Sequence, residues 1–200
     1  GISEVMGNDI YLIGGENDSG TDVSAVQIYH TESDSWSDVS GMPTPRHGMS
    51  SSIIGNKIYV IGGDTLGTVE IYDISENTWL SSNPSSDVYD EFVSTFPSNS
   101  INCAGTGDMS GNIYIVDGYG TNTLLSFKGW SNISQRYDIS ENKWEILTPM
   151  PSYRGFGIAE RIGNYIYVVG GQGIGLSNND YVEAYDIYTD TWIRDSNHGG

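Results

Sequence analysis

The chain repeats one pattern of residues four times. Each copy contains an apolar run with a tyrosine in second place, and this tyrosine advances along the chain by 48, 55 and 53 residues. A period of this length indicates a small supersecondary unit that buries its apolar surface only against its neighbours. The four runs occupy residues 10–15, 58–63, 113–118 and 166–171.

A second repeated element follows each apolar run, with a tyrosine seven residues before a tryptophan. β-Branched and aromatic residues alternate around these positions, which suits pleated and mostly buried strands, and no stretch has the 3.6-residue period of a helix. The pattern therefore predicts an all-β chain of repeated sheets, with aromatic rings filling the space between sheets. The pairs are Tyr29 and Trp36, Tyr72 and Trp79, Tyr137 and Trp144, and Tyr185 and Trp192.

These residues resemble the kelch repeat, whose period is about 50 residues. The second copy has the full pattern: Met-Pro-Thr-Pro-Arg-His-Gly at residues 42–48, a double glycine at the end of residues 58–63, then Tyr72 and, seven residues later, Trp79. The resemblance extends over nearly the whole chain. It implies a β-propeller of kelch-type four-stranded antiparallel blades, with four repeats in this chain.

The copies are not equally close to the kelch pattern. The fourth is similar to the second, from residues 150–154 through Trp192, whereas the third has Asp117 in place of a glycine and Ile101 in place of the arginine. The expected blades cover about residues 1–40, 41–82, 98–147 and 148–200, with an insertion at about residues 80–97.

Three architectures are compatible with four repeats: a closed four-bladed ring, a segment of a larger ring, and two copies joined as an eight-bladed ring. Residue 1 aligns with Met49, inside the first strand of a blade, so we expect the chain to lack the upstream proline–arginine segment. Open terminal blades expose aromatic faces and strand edges, which need a cover. A second copy or further blades are therefore expected partners, and a closed ring is the less favoured architecture.

Charge narrows the classes of partner. The formal net charge is −18, from eight lysine and arginine residues and 26 aspartate and glutamate residues. Such a chain repels phosphate backbones and anionic lipids, so nucleic-acid binding is not expected, and no apolar run is long enough to predict a membrane span. The acidity favours an extracellular or cell-surface setting over the cytoplasm, although solvated surface charge in a saline setting explains the same composition.

The resemblance nominates the arginine after each proline-rich turn as a ligand contact. In kelch relatives that capture peptides this arginine points to one mouth of the channel. The corresponding residues of this chain are Arg46 in the second copy and Arg154 in the fourth. Either guanidinium has the geometry to hold a carboxylate or phosphate with two hydrogen bonds. The alternative is that each arginine stacks on an aromatic ring and braces its own loop.

The loops that vary between copies supply three further candidate ligand contacts. The excursion after the second copy, residues 81–92, is polar and contains Tyr89, and the loop of the third copy contains Tyr119 and Trp130. Variable loops on a repeating scaffold are where recognition is usually found, and exposed rings suit a peptide side chain or a sugar face. The alternative for Trp130 is a structural cap over the neighbouring blade.

Catalytic and metal sites are not predicted. The three histidines are scattered, Cys103 is single, and no nucleophile or phosphate-binding motif occurs, so no catalytic residue, metal ligand or cofactor is assigned. The acidic loop at residues 16–22 is rich in oxygen ligands but lacks the spacing and closing glutamate of a known calcium loop.

Two hypotheses about function remain. The favoured one is a non-catalytic propeller that binds a protein or peptide through its variable loops. The alternative is a carbohydrate-binding or sugar-active propeller, with acidic residues at the channel mouth and Trp130 stacking on the sugar. The loss of sugar binding in Trp130→Ala, or of peptide binding in Arg46→Ala or Arg154→Ala, distinguishes them.

Overall fold

The structure is a computed structural model that describes residues 1–64, 67–82, 96, 103–108, 110–116, 118–122, 127–173 and 182–194. The strands in this part of the chain are short, as expected for propeller blades. In chain order they are β1 (Ile2–Met6), β2 (Asp9–Glu16), β3 (Asp22–His30), β4 (Ser35–Asp38), β5 (Ser50–Ile54), β6 (Lys57–Ile61), β7 (Val69–Asp73), β8 (Thr78–Ser81), β9 (Ala104–Gly107), β10 (Asn112–Val116), β11 (Tyr119–Asn122), β12 (Phe127–Trp130), β13 (Ser134–Asp138), β14 (Lys143–Leu147), β15 (Ile158–Ile162), β16 (Tyr165–Val169), β17 (Val182–Asp186) and β18 (Thr191–Arg194).

Four antiparallel sheets of four strands form the blades. Blade 1 is β1–β2–β3–β4, blade 2 is β5–β6–β7–β8, blade 3 is β9–β10–β13–β14 and blade 4 is β15–β16–β17–β18. Strands β11 and β12 form a separate hairpin inserted between the second and third strands of blade 3. The predicted all-β propeller with four kelch-type blades is confirmed.

The core consists of three seams, each being the packed interface between two consecutive blades. The seam between blades 1 and 2 contains Tyr11 and Ile13 on one side and Ile58 and Val60 on the other. Because side chains alternate across a strand, Tyr59 and the other alternate residues of β6 face blade 3 instead. The third seam joins blades 3 and 4 in the same way.

The repeated tyrosine–tryptophan pair explains how each blade closes its last hairpin. Tyr72 and Trp79 lie opposite each other on β7 and β8, with ring centroids 5.0 Å apart. The Tyr72 hydroxyl donates a hydrogen bond of 2.9 Å to Oδ1 of Asn77, which has a left-handed backbone at φ 53°. Asparagine and aspartate tolerate this conformation better than most residues. The equivalent tyrosine hydroxyls bond Asp34, Asn142 and Asp190.

The same aromatic pair also connects neighbouring blades. The indole nitrogen of Trp79 donates to the carbonyl of Ser40 at 2.8 Å, and that of Trp192 donates to the carbonyl of Thr148 at 2.8 Å. Both carbonyls belong to the linker that arrives from the preceding blade. Each tryptophan therefore fixes the entry of the chain into its own blade.

Candidate functional site

Arg46 is completely buried and is held inside blade 2. Its guanidinium lies 3.0 Å from the carboxylate of Glu70 and donates 2.9 Å and 3.1 Å hydrogen bonds to the carbonyls of Gly62 and Thr68. Glu70 is also completely buried, and it accepts hydrogen bonds from Thr44. Burial raises the pKa of the Glu70 carboxyl, while the charge of Arg46 opposes that rise.

Arg154 occupies the same position in blade 4. Its guanidinium lies 2.6 Å from the carboxylate of Glu183 and donates a 2.8 Å hydrogen bond to the carbonyl of Gly170, and both charged side chains are 0% exposed. The structure thus places Arg46 and Arg154 in the bracing role that the sequence left as the alternative, with a glutamate in place of the aromatic ring. A ligand would have to displace the glutamate to reach either guanidinium, and ligand binding by these arginines stays a prediction.

The backbone of each arginine joins its blade to the preceding one. The Arg46 carbonyl accepts a 2.9 Å hydrogen bond from the amide of Gly15, and the Arg154 carbonyl accepts one of 2.9 Å from the amide of Gly118. The amide of Arg154 donates in turn to the carbonyl of Ser131 at 3.1 Å. The hairpin of β11 and β12 is therefore attached at its base to the loop that carries Arg154.

Three aromatic side chains meet beside this junction. Tyr119 and Trp130 are cross-strand partners in the hairpin, with ring centroids 5.4 Å apart and nearly perpendicular planes. The Phe156 ring lies 6.2 Å from that of Trp130. We call Tyr119, Trp130 and Phe156 the aromatic cluster. Because 41% of Tyr119 and 55% of Phe156 are exposed, the cluster presents an apolar surface to solvent.

Phe156 has a backbone conformation that bulky residues rarely adopt. Its φ is +62°, and it aligns with Gly48 of blade 2, whose φ is +61°. For a non-glycine residue the left-handed region costs about 1–2 kcal/mol, and such strain is concentrated at functional sites. Sequence reasoning missed Phe156, although the alignment of a phenylalanine with the glycine of another repeat was a visible signal.

The predicted site residues are only partly brought together. Tyr119 and Trp130 are neighbours in the aromatic cluster, and the buried Arg154 lies beneath it in the same junction. Arg46 lies in blade 2, at the equivalent junction with blade 1. Tyr89 and most of the predicted insertion lie outside the described residues.

The first strands of all four blades surround an axial cavity of about 660 Å³. Serine and glycine are the commonest residues of its walls, which also carry Glu4 and Glu160. Burial raises the pKa of Glu4, a hydrogen bond with Ser51 counteracts the rise, and the charge of Glu160 adds to it. The cavity is therefore acidic and polar.

Among the residues that the structure describes, no group of three or more histidine, cysteine, aspartate or glutamate side chains is placed to hold a metal ion. In the acidic loop, Oδ1 of Asn17 accepts hydrogen bonds from the amides of Ser19 and Thr21, each at 3.0 Å. The same described residues include no helix with the length and apolarity to cross a bilayer.

Comparison with known sequences agrees with this architecture. The kelch motif profile matches residues 3–43, 45–85 and 159–197, which contain the strands of blades 1, 2 and 4. Kelch-like protein 23 of Homo sapiens is 31% identical over 150 residues, which is 74% of this chain and 24% of the relative. Kelch-like protein 30 of Homo sapiens is 27% identical over an alignment of 233 positions, which covers 94% of this chain and 38% of the relative.

Comparison of folds gives the same result. The solved structure of YjhT aligns with a TM-score of 0.76 and 15% sequence identity, covering 97% of this chain and 64% of that one. At this identity the likeness shows the fold alone. The chain spans about a quarter to two fifths of the length of the kelch-like proteins just described. The profile matches and the identity to Kelch-like protein 23 show that this chain belongs to the kelch-repeat family.

Proposed function

We propose that this chain is a non-catalytic propeller module that binds a protein or peptide segment through the aromatic cluster. The single observation that carries the proposal is Phe156, whose ring is more than half exposed and whose backbone has a positive φ at a position where blade 2 has a glycine. A residue that only shaped the loop would not need an exposed ring. Kelch-repeat propellers typically mediate protein interactions, in agreement with this role.

The surroundings of the cluster indicate the chemistry of its ligand. The rings of Tyr119 and Phe156 offer an apolar surface to a proline or an aliphatic side chain. Arg46 and Arg154 form buried ion pairs with glutamates, so they do not offset the negative electrostatic field of a chain whose net charge is −18. Such a field favours basic residues beside the apolar side chain and speeds their association.

A peptide selection tests the proposal. Peptides selected from a displayed random library on the unmodified protein are expected to combine an apolar anchor with basic residues, and Phe156→Gly is expected to weaken their binding at least tenfold. Val5→Ser is the matched control, because Val5 is an exposed apolar residue of β1 outside the aromatic cluster. Equal losses in both variants, or no loss in Phe156→Gly, would contradict the proposal.

The carbohydrate hypothesis is tested with the same protein. Oligosaccharides are titrated while tryptophan fluorescence is recorded, and Trp130→Ala is the variant that removes the stacking ring. A saturable fluorescence change that disappears in Trp130→Ala, together with a failed peptide selection, would replace the proposed function by sugar binding.

A further inference from the structure

A second cavity lies in the seam between blades 3 and 4, away from the aromatic cluster. Its volume is about 250 Å³, and it is lined by Asp108 and Tyr114 of blade 3, Arg161 and Tyr188 of blade 4, and Arg136, which lies on β13. Two of the eight lysine and arginine residues of the chain therefore converge on one small cavity.

The other seams show that the fold does not require these arginines. In the registers of the sheets Arg136 corresponds to Ile28 of blade 1, and Arg161 corresponds to Ile53 of blade 2. Ile28 belongs to the apolar core between blades 1 and 2, and Ile53 is partly buried against that core. The seam between blades 3 and 4 thus carries two cationic side chains where an equivalent seam has two isoleucines.

The polar groups of these arginines are incompletely satisfied. Arg136 forms an ion pair with Glu145 and a hydrogen bond with the Tyr114 hydroxyl, whereas Arg161 forms no hydrogen bond or ion pair with any residue that the structure describes. The Nε atoms of both are buried without a hydrogen-bond partner. A buried donor without a partner is costly, and an ion or a ligand oxygen is one group that satisfies it.

The acidic groups of the cavity do not supply the missing partner. The Asp108 carboxylate accepts hydrogen bonds from the amides of Ser110 and Asn112 and from the side chain of Asn112. The Tyr114 hydroxyl adds another at 3.2 Å. Burial, followed by the charge of Asp108, raises the pKa of Tyr114 to about 12, so this phenol is neutral at physiological pH.

We infer that the cavity between Arg136 and Arg161 is a carboxylate-binding site. The side chains of Arg136 and Arg161 line the same cavity, and a guanidinium group matches the planar, two-oxygen geometry of a carboxylate. The volume suits a small dicarboxylic acid or the side chain of a glutamate, and the net charge of −18 opposes polyanions such as nucleic acids. The site is independent of the aromatic cluster and of the function proposed for it.

Titration of the unmodified protein with succinate, followed by NMR of the arginine Nε–Hε groups, tests the site directly. We expect saturable shifts of the Arg136 and Arg161 signals. A capped Gly-Glu-Gly peptide is titrated in parallel, and binding by either probe supports the site while identifying its source as a free acid or a side chain. No saturable shift with either probe, or equal shifts with sodium chloride at the same ionic strength, would overturn the inference.

Substitution separates binding from folding. Arg161→Ile introduces the residue of blade 2 and is expected to weaken probe binding at least tenfold, with an unchanged or higher melting temperature, because it removes an unpaired buried donor. Arg161→Lys keeps the charge and is expected to bind with intermediate affinity. Lys143→Gln changes the net charge equally at an exposed position outside the cavity, and it should bind as the unmodified protein does. Equal weakening in Lys143→Gln and Arg161→Ile would show a general charge effect and overturn the site.

Discussion

Arg154 and Glu183 form a charge pair with no exposure to solvent, and the chain contains the same pair once more as Arg46 and Glu70. Breaking such a pair is costly because the remaining charge stays buried, whereas replacing both charges together is often nearly neutral. Blade 3 shows the replacement naturally: Ile101 aligns with the arginine, and Gln135 corresponds in register to the glutamate.

Removal of one member of this pair should therefore destabilise the protein more than removal of both. Arg154→Met is expected to lower the free energy of unfolding by about 3–5 kcal/mol, because the Glu183 carboxylate loses its main partner in the interior. Arg154→Met combined with Glu183→Gln should recover most of that loss. Urea denaturation of the two variants measures the difference, and equal stabilities would refute the buried-pair interpretation.

For Phe156 we predict that a substitution leaves the free energy of unfolding unchanged or raises it. Phe156→Gly removes the strain at φ +62°, worth about 1–2 kcal/mol, and loses the contact of a half-exposed ring with Trp130. We expect the free energy of unfolding to stay the same or to rise by about 1 kcal/mol. Gly48→Phe in blade 2 is the reverse control, and it should be destabilising. A large loss of stability in Phe156→Gly would show that the ring is a structural element instead.

At the residue scale, the sequence predicted where the two arginines lie better than it predicted what they do. The kelch resemblance placed Arg46 and Arg154 in their loops, but their burial depends on Glu70 and Glu183, which lie 24 and 29 residues further along the chain. The repeats did contain a signal for this burial, because copies with the arginine also have the glutamate, and the copy with isoleucine has glutamine. The arginine motif of one copy, without the strand that carries the glutamate, does not show it.

At the scale of elements, the turn between the third and fourth strands of a blade is the most regular feature. In blade 3 the carboxylate of Asp138 accepts hydrogen bonds from the hydroxyl and amide of Ser140 and from the amide of Glu141. In blade 2 Asp73 does the same with Ser75 and Glu76. The Ser140 hydroxyl, followed by the Glu141 amide, lowers the pKa of Asp138, and the corresponding groups lower that of Asp73.

These lowered pKa values fix the direction of a pH effect. A carboxylate whose pKa is lower in the folded than in the unfolded chain stabilises the fold above its unfolded pKa, about 3.9, and this contribution disappears as the pH falls through the folded pKa. Asp73→Asn with Asp138→Asn keeps the amide-oxygen acceptors but cannot titrate. The double variant should therefore lose less stability than the unmodified protein between about pH 5 and pH 3.

Thermal unfolding across that pH range measures the effect. Asp18→Asn is the control, since Asp18 is exposed and forms no hydrogen bond with the described residues. Identical pH profiles for the double variant and the unmodified protein would show that the turn carboxylates contribute nothing to acid sensitivity.

The elements themselves were largely predictable, because the apolar run and the tyrosine–tryptophan spacing correspond to β2, β6, β10 and β16 and to the last hairpin of each blade. The hairpin of β11 and β12 was not predicted as an element. Its strands contain Gly120, Asn122 and Gly129, residue types that are depleted in strands, and they pair locally at the base through Tyr119 and Trp130. A hairpin that is inserted in one copy does not recur along the chain, so the repeat pattern could not predict it.

At the scale of the whole molecule, the two terminal blades expose faces that are buried elsewhere. Trp36 of blade 1 is 57% exposed, whereas its equivalent Trp79 is 5% exposed because blade 1 covers it. The far face of blade 4 exposes Ile162, Val169 and Ile193. Apolar faces of this kind mark contact sites or aggregation liabilities.

The contact between blades 1 and 2 shows how these two faces fit each other. There the tyrosine–tryptophan face of one blade packs against the aliphatic face of the blade before it. The exposed face of blade 1 is a tyrosine–tryptophan face, and the exposed face of blade 4 is an aliphatic face. We therefore predict head-to-tail association of this chain in solution, in which blade 4 of one copy covers Trp36 of the next.

Sedimentation velocity at increasing protein concentration measures this association. Val169→Glu places a charge in the predicted contact, in a chain that is already strongly acidic, and it should weaken self-association at least tenfold. Tyr153→Ser removes an exposed aromatic ring from a loop outside the two faces and should leave self-association unchanged. If the unmodified chain is monomeric at all concentrations, or if Val169→Glu associates as strongly as Tyr153→Ser, the exposed faces of blades 1 and 4 do not bind each other.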